Sequence, residues 1–286
     1  MNRSSFVLLV ALLATGSILG LSGCIGGDEG GAPAPKAAGV TVAGSTTVMP
    51  LVEAAAEEFN RIQKEVRVSV TGGGTGVGIK NVAGGTADIA MASRDVKPEE
   101  IVAYGDGFQE HLVAYDAIAV VVSQPIYEGG ITDLSREEVL AIYSGDITNW
   151  KGLGGPDERI YVAAREVGSG TRDTFNEMVM GTVEAETPGV TTYHGSNAEV
   201  KTAVTGSSRA IGYLGLNYLE GGALRAVALG GVTPSPETIK VDQYPLSRAL
   251  KLYTFGDPAP GAEKFIDFLQ SAEGQRIVAE SGFVPA

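Results

Sequence analysis

The chain is predicted to be an α/β protein with mainly parallel sheets, long enough for two domains. Short β-forming segments alternate with helix-length amphipathic ones along most of the sequence, a pattern that lays parallel strands against covering helices. Three times, a short apolar strand runs into glycine, serine and threonine, and a helix starts at once. Length bears on the domain count: about 250 residues follow Val40, more than one core organises comfortably and enough for two.

The first 23 residues stand outside this pattern. Arg3 is their only charge, and an apolar run from Phe6 to Leu21 leads through Ser22 and Gly23 to Cys24. The run is shorter than the roughly 20 residues a spanning helix needs, so residues 1–23 read as an export signal. Cys24 is the single cysteine, so no internal disulfide is possible. Residues 24–39 are rich in glycine, alanine and proline without periodicity, the composition of a flexible tether. The net charge is −13, and removing residues 1–23 takes one basic residue and no acid. So acidic a surface argues against nucleic acid and against an anionic membrane face. An anionic ligand stays open, because buried backbone N–H groups bind anions whatever the net charge.

From Val40 onward the elements follow in order. Val40 to Ala43 forms a strand, and Pro50 opens a helix with Leu51, Ala55, Phe59 and Ile62 on one face. Val66, Val68 and Val70 alternate in a second strand, and Ala87 to Ala92 is a third, largely buried. Val113 to Val122 is too rich in β-formers to prefer helix. Ser135 and Glu138 have capping-box spacing, with Leu134 and Val139 as the hydrophobic staple. Ile160 to Ala164 is a strand and Arg172 to Met180 a helix; Ser196 and Glu199 repeat the cap signal. Strands at Ala210 to Leu214 and Leu250 to Phe255 precede one C-terminal helix, Ala262 to Ser281, with Phe265, Phe268, Leu269, Ile277 and Val278 inward. Trp150 and the tyrosines read as packing groups.

The three loops carry the chemistry. They are Gly44-Ser45-Thr46-Thr47, Gly72-Gly73-Gly74-Thr75-Gly76 and Gly168-Ser169-Gly170-Thr171. A helix's first turn leaves N–H groups unpaired at its positive end. Glycine admits a ligand close to the backbone, and hydroxyls add donors. A single such loop is more often plain capping; three of them point to a shared oxyanion site at the carboxyl ends of the strands. Arg94, after Ala92-Ser93, and Arg165 each end a strand, where a guanidinium gives a bidentate contact to a tetrahedral anion. The alternative for each is a pair with the next acid, Asp95 or Glu166. Nucleotide loops, a nucleophile elbow and metal sites find no match: Gly78-Ile79-Lys80-Asn81 lacks the Gly-Lys-Ser/Thr signature, and His111 and His194 have no ligand neighbours at useful spacing.

Seven segments together resemble the phosphate-binding proteins of the high-affinity phosphate ABC importer: AGSTTVMP (43–50), GGGTG (72–76), ASRD (92–95), GDITNW (145–150), REVGSGT (165–171), YPLSR (244–248) and GFVP (282–285). Leu21-Ser22-Gly23-Cys24 likewise resembles the lipobox of secreted lipoproteins, in which the cysteine is lipidated. The resemblance implies an α/β, two-lobe periplasmic-binding-protein-like fold with a ligand cleft between lobes. Lobe 1 would be 40–116 plus 251–286 and lobe 2 117–250, hinged near Tyr115 to Val121 and Tyr244 to Leu252. Lobe 1 would offer Ser45, Thr46, Thr47, Thr75, Ser93 and Arg94, and lobe 2 Arg165, Ser169, Gly170 and Thr171. It further implies a monomeric, non-enzymatic phosphate binder, free of cofactor and metal, that serves an ABC permease from the outer face of the cytoplasmic membrane, anchored through Cys24. Sulfate, molybdate or tungstate is the nearest alternative ligand. Some members place an aspartate where Arg94 stands, to accept the proton of hydrogen phosphate; here Asp95, one residue later, either takes that role or pairs with Arg94.

Overall fold

The computed structural model describes residues 37–219, 221–222 and 224–286. The export signal, Cys24 and most of the tether therefore lie outside the described residues. The first part of the chain forms β1 (Ala38–Gly44), α1 (Met49–Ile62), β2 (Val66–Gly72), α2 (Thr75–Ala83), β3 (Ile89–Ala92), α3 (Pro98–Tyr104) and β4 (Phe108–Val122). The middle forms α4 (Gln124–Glu128), β5 (Asp133–Leu134), α5 (Arg136–Ser144), β6 (Tyr161–Arg165), α6 (Gly170–Phe175), β7 (Thr192–His194), α7 (Asn197–Thr205) and β8 (Ala210–Gly215). Then come β9 (Arg225–Ala226), β10 (Ala228–Leu229), α8 (Pro236–Lys240), β11 (Ser247–Phe255), α9 (Pro260–Gln270), α10 (Ala272–Glu280) and β12 (Val284–Pro285).

One sheet runs β2-β1-β3-β11-β4-β8-β6-β7. Its two ends are parallel, β1 with β2 and β3, and β6 with β7 and β8. Its middle is antiparallel: β11 pairs β3 and β4, and β4 pairs β8. That middle is where the chain passes between two cores. Val113 and Ala114 of β4 join Leu250 and Leu252 of β11 in a core filled by α1, α9 and α10. From Ala117 to Val122 the same strand lies in a second core with β6, β8, Tyr143, Trp150 and Phe175. Asp116 stands at the changeover, opposite Arg248 in the β4–β11 register.

Local chemistry explains the elements. In α5, Ser135 Oγ accepts from the Glu138 amide at 3.1 Å and the Glu138 carboxylate accepts from the Ser135 amide at 2.7 Å, so both arms of the box close. At α7 only one arm forms: Ser196 Oγ takes the Glu199 amide, while the Glu199 carboxylate turns to the Gly195 amide. Trp150 is buried and its indole N–H donates to the Arg209 carbonyl at 3.0 Å. Leu51, Ala55 and Phe59 of α1 are buried as the periodicity predicts, but Ile62 is 53% exposed, because the core ends one turn before the helix does. The predicted single C-terminal helix is two. Ser271 is extended and caps α10, accepting the Gly274 amide at 3.3 Å, and a serine free to cap is a serine that stops the preceding helix. The helix predicted from Arg172 begins earlier, at Gly170, and ends in a wide turn over Asn176–Met180.

Candidate anion-binding site

The three small-residue loops meet in one place. In the first, Gly44 has φ +135°, and a Cβ there would lie 2.4 Å from the Met91 carbonyl oxygen, so only glycine lets β1 and β3 approach. The chain then buries Ser45, Thr46 and Thr47 at the start of α1. In the second, Thr75 is the first residue of α2, and its hydroxyl accepts from the Ser93 amide at 3.2 Å. In the third, Ser169 caps α6 and Thr171 is buried in its first turn. Gly170 sits against the second loop: a Cβ there would fall 2.4 Å from Thr75 Oγ1 and 2.7 Å from Ser93 Oγ. The lips touch through backbone as well, the Gly76 amide donating to the Gly168 carbonyl at 3.0 Å.

Hydrogen bonds cross this junction. Thr47 Oγ1 lies 2.9 Å from Thr171 Oγ1. Arg165 Nη2 donates to Thr46 Oγ1 at 3.2 Å, and the Tyr218 hydroxyl donates to the Thr46 carbonyl at 2.7 Å. Arg165 is 1% exposed. Its remaining bonds go to the carbonyls of His194 and Gly195 at 3.2 and 2.8 Å; none of these partners is a carboxylate, and Nη1 is buried with no partner among the described residues. Burial pulls the guanidinium down to about 10 from its ordinary 12.5, with Arg248 adding to the effect. A buried cation lacking a counter-charge is costly unless an anion joins it.

Arg94 has different surroundings. Its Nη1 and Nη2 bind both oxygens of Glu100 at 2.8 Å, Nε binds Asp173 at 2.7 Å, and Nη1 also donates to the Asp95 carbonyl. The guanidinium is thus taken up by two carboxylates and ties the end of β3 to α6. The Asp95 side chain is 77% exposed and pairs with Lys251, outside the hydroxyl cluster.

A model of the PBP superfamily domain matches residues 30–273. The phosphate-binding protein PstS of Bacillus subtilis is 31% identical over 293 residues, covering 100% of this chain and 95% of the relative. PstS of Borreliella burgdorferi is 33% identical over 258 residues, covering 86% and 89%. The chain belongs to the PBP superfamily and, within it, to the PstS family. A protein from Clostridium perfringens, solved by X-ray crystallography with bound phosphate, is similar with a TM-score of 0.81 and 37% identity, covering 87% of this chain and 99% of that one. The fold is accordingly α/β, with two lobes about a cleft, as in other members.

Within this PstS-family cleft, three residues without a role in the sequence reading stand beside the threonines. Asp116 and Arg248 are buried and paired, Oδ2 to Nη2 at 2.8 Å. Burial raises the Asp116 carboxyl above its usual range, against the pull of Arg248, and lowers the Arg248 guanidinium, against the pull of Asp116. Arg248 also donates to Thr171 Oγ1 at 3.0 Å and Thr47 Oγ1 at 3.3 Å. Asn197, fully buried, donates through Nδ2 to Thr46 and Thr47 Oγ1 at 3.1 and 3.0 Å. Signals existed: a lone acid inside the apolar run 113–122, an arginine in the YPLSR segment, and an asparagine directly after a helix cap.

Proposed function

We propose that this chain captures inorganic phosphate outside the cytoplasm and hands it to the permease of an ABC importer. The observation that carries the reading is Arg165: a buried guanidinium bonded to the Thr46 hydroxyl at the meeting of three helix-opening loops, with Nη1 lacking a partner among the described residues. Such a group needs acceptor oxygens bearing negative charge, and a tetrahedral oxyanion offers them to several donors at once. The PstS relatives and the phosphate bound in the Clostridium perfringens protein support phosphate as that anion.

On this reading Ser45, Thr46, Thr75, Ser93, Arg165, Ser169, Gly170 and Thr171 contact the ligand, and Thr47 stands behind Thr171, 2.9 Å from its hydroxyl. Arg94 joins the lobes through Glu100 and Asp173 instead of touching it, and Asp95 lies outside. Lobe 1 comprises 40–116 plus 251–286 and lobe 2 117–250, a division supported by the two cores and by the pairing of β4 with β11 at the crossing. Ligand held by both lobes favours the closed arrangement. The protein is a monomer without enzymatic activity, held to the membrane by lipid on Cys24; among the described residues no helix is long and apolar enough to cross a membrane.

Calorimetry on phosphate-depleted protein against phosphate, sulfate and molybdate tests this. Phosphate should bind, and at 100-fold above its dissociation constant should stabilise the fold by about 2.7 kcal/mol. Tighter binding of sulfate or molybdate would reassign the ligand and leave the site standing.

A further inference from the structure

We infer that Asn197 and Arg248 are positioning residues that orient the hydroxyls of Thr46, Thr47 and Thr171, so that Thr46 and Thr171 donate to a ligand's acceptor oxygens. The inference rests on the oxyanion reading and adds the means by which the site enforces it. It starts from Asn197, whose amide orientation is fixed without assumption. Its Oδ1 accepts from the Gly215 backbone amide at 3.2 Å, which can only donate, so Nδ2 must face Thr46 and Thr47.

A hydroxyl has one proton and two acceptor sites. Thr46 Oγ1 receives Asn197 Nδ2 at 3.1 Å and Arg165 Nη2 at 3.2 Å. Both groups are donors only, so both acceptor sites are filled and the Thr46 proton must be given away. Thr47 Oγ1 receives Asn197 Nδ2 at 3.0 Å and Arg248 Nη2 at 3.3 Å. Its proton therefore points along the 2.9 Å contact to Thr171 Oγ1. Thr171 Oγ1 then has two donors, Thr47 and Arg248 Nη1 at 3.0 Å, and its own proton is released in turn. The chain of direction runs from Asn197 and Arg248 through Thr47 to Thr171. It turns the Thr46 and Thr171 protons away from these donors, beside Arg165 Nη1, which has no partner among the described residues. Asp116 stays behind Arg248, its Oδ2 held by that guanidinium and its Oδ1 by the Leu216 amide at 3.2 Å.

The near-isosteric Asn197→Asp tests this on the full chain. A carboxylate at 197 keeps an acceptor for the Gly215 amide but accepts where Nδ2 donated, turning the Thr46 and Thr47 protons toward itself. It also stands near two guanidinium groups, so the ligand-free fold keeps its thermal stability. Calorimetry should show phosphate affinity reduced at least ~10-fold, and Asn197→Ala, which frees the hydroxyls without reversing them, should lose less. Neutron diffraction of the deuterated wild-type phosphate complex should place the Thr47 deuteron toward Thr171 and those of Thr46 and Thr171 on ligand oxygens. Wild-type affinity in Asn197→Asp, or stability and affinity falling together and equally in both variants, overturns the inference. So does a Thr47 deuteron on the ligand. Failure of the wild type itself to bind phosphate would instead remove the ligand assignment.

Discussion

Arg165 ends β6 and Arg94 stands two residues past β3; both follow small residues and precede an acid, yet their surroundings are opposite. Arg94 meets both oxygens of Glu100 and one of Asp173. Arg165 meets two backbone carbonyls and one hydroxyl, and its buried Nη1 has no partner among the described residues. Position in a strand brings a guanidinium to the cleft; the carboxylates that reach it decide whether charge is left for a ligand. The local acids do not settle this. Asp95 turns to Lys251, and the acids that neutralise Arg94 come from α3 and from α6, far along the chain.

The largest expected effect separates the two arginines by what each sustains. Arg94→Ala leaves Glu100 and Asp173 without their common partner and should cost about 3 kcal/mol of stability in chemical denaturation. Phosphate affinity should change by less than a decade. An intact fold with binding abolished would put Arg94 back in the ligand's contact shell. Arg165→Ala should do the reverse, weakening phosphate at least ~10-fold in calorimetry because a charged hydrogen-bond donor is lost. Arg165→Lys should restore only part, since a point charge cannot reproduce the planar fork; full restoration would mean that charge alone suffices. The smallest effect belongs to Asp95→Asn. Exposed pairing with Lys251 should be worth under about 0.5 kcal/mol, and a large drop in phosphate affinity there would show that Asp95 reaches the ligand after all.

The sequence exposed what local chemistry writes. Glycine, serine and threonine between strand and helix were legible because a cap and an anion cradle use the same groups, and β1, β2, β3, β6 and β8 followed from apolar runs. The antiparallel centre was not, because alternation of strand and helix carries no mark of where β11 returns between β3 and β4. For the same reason Arg248 and Asp116 were silent: they are 132 residues apart and meet only through that register. Asn197 read as an ordinary first residue of a helix, since its targets lie about 150 residues away in the chain. Ser271 misled in the other direction. An apolar face continuous from Phe265 to Val278 disguises the break that its side chain makes.

The seam at the lips has a consequence for how such a protein can drift over generations. It is closed by the Gly76 amide on the Gly168 carbonyl, and a side chain at Gly74, where φ is +91°, would press to 2.9 Å from that same carbonyl oxygen. Main-chain atoms are common to all residues, so exposed side chains around the mouth are free to be replaced without loosening it. At Gly74 that freedom ends: any inheritable change there adds a Cβ between the lips, and descendants could keep every hydroxyl below and still fail to shut.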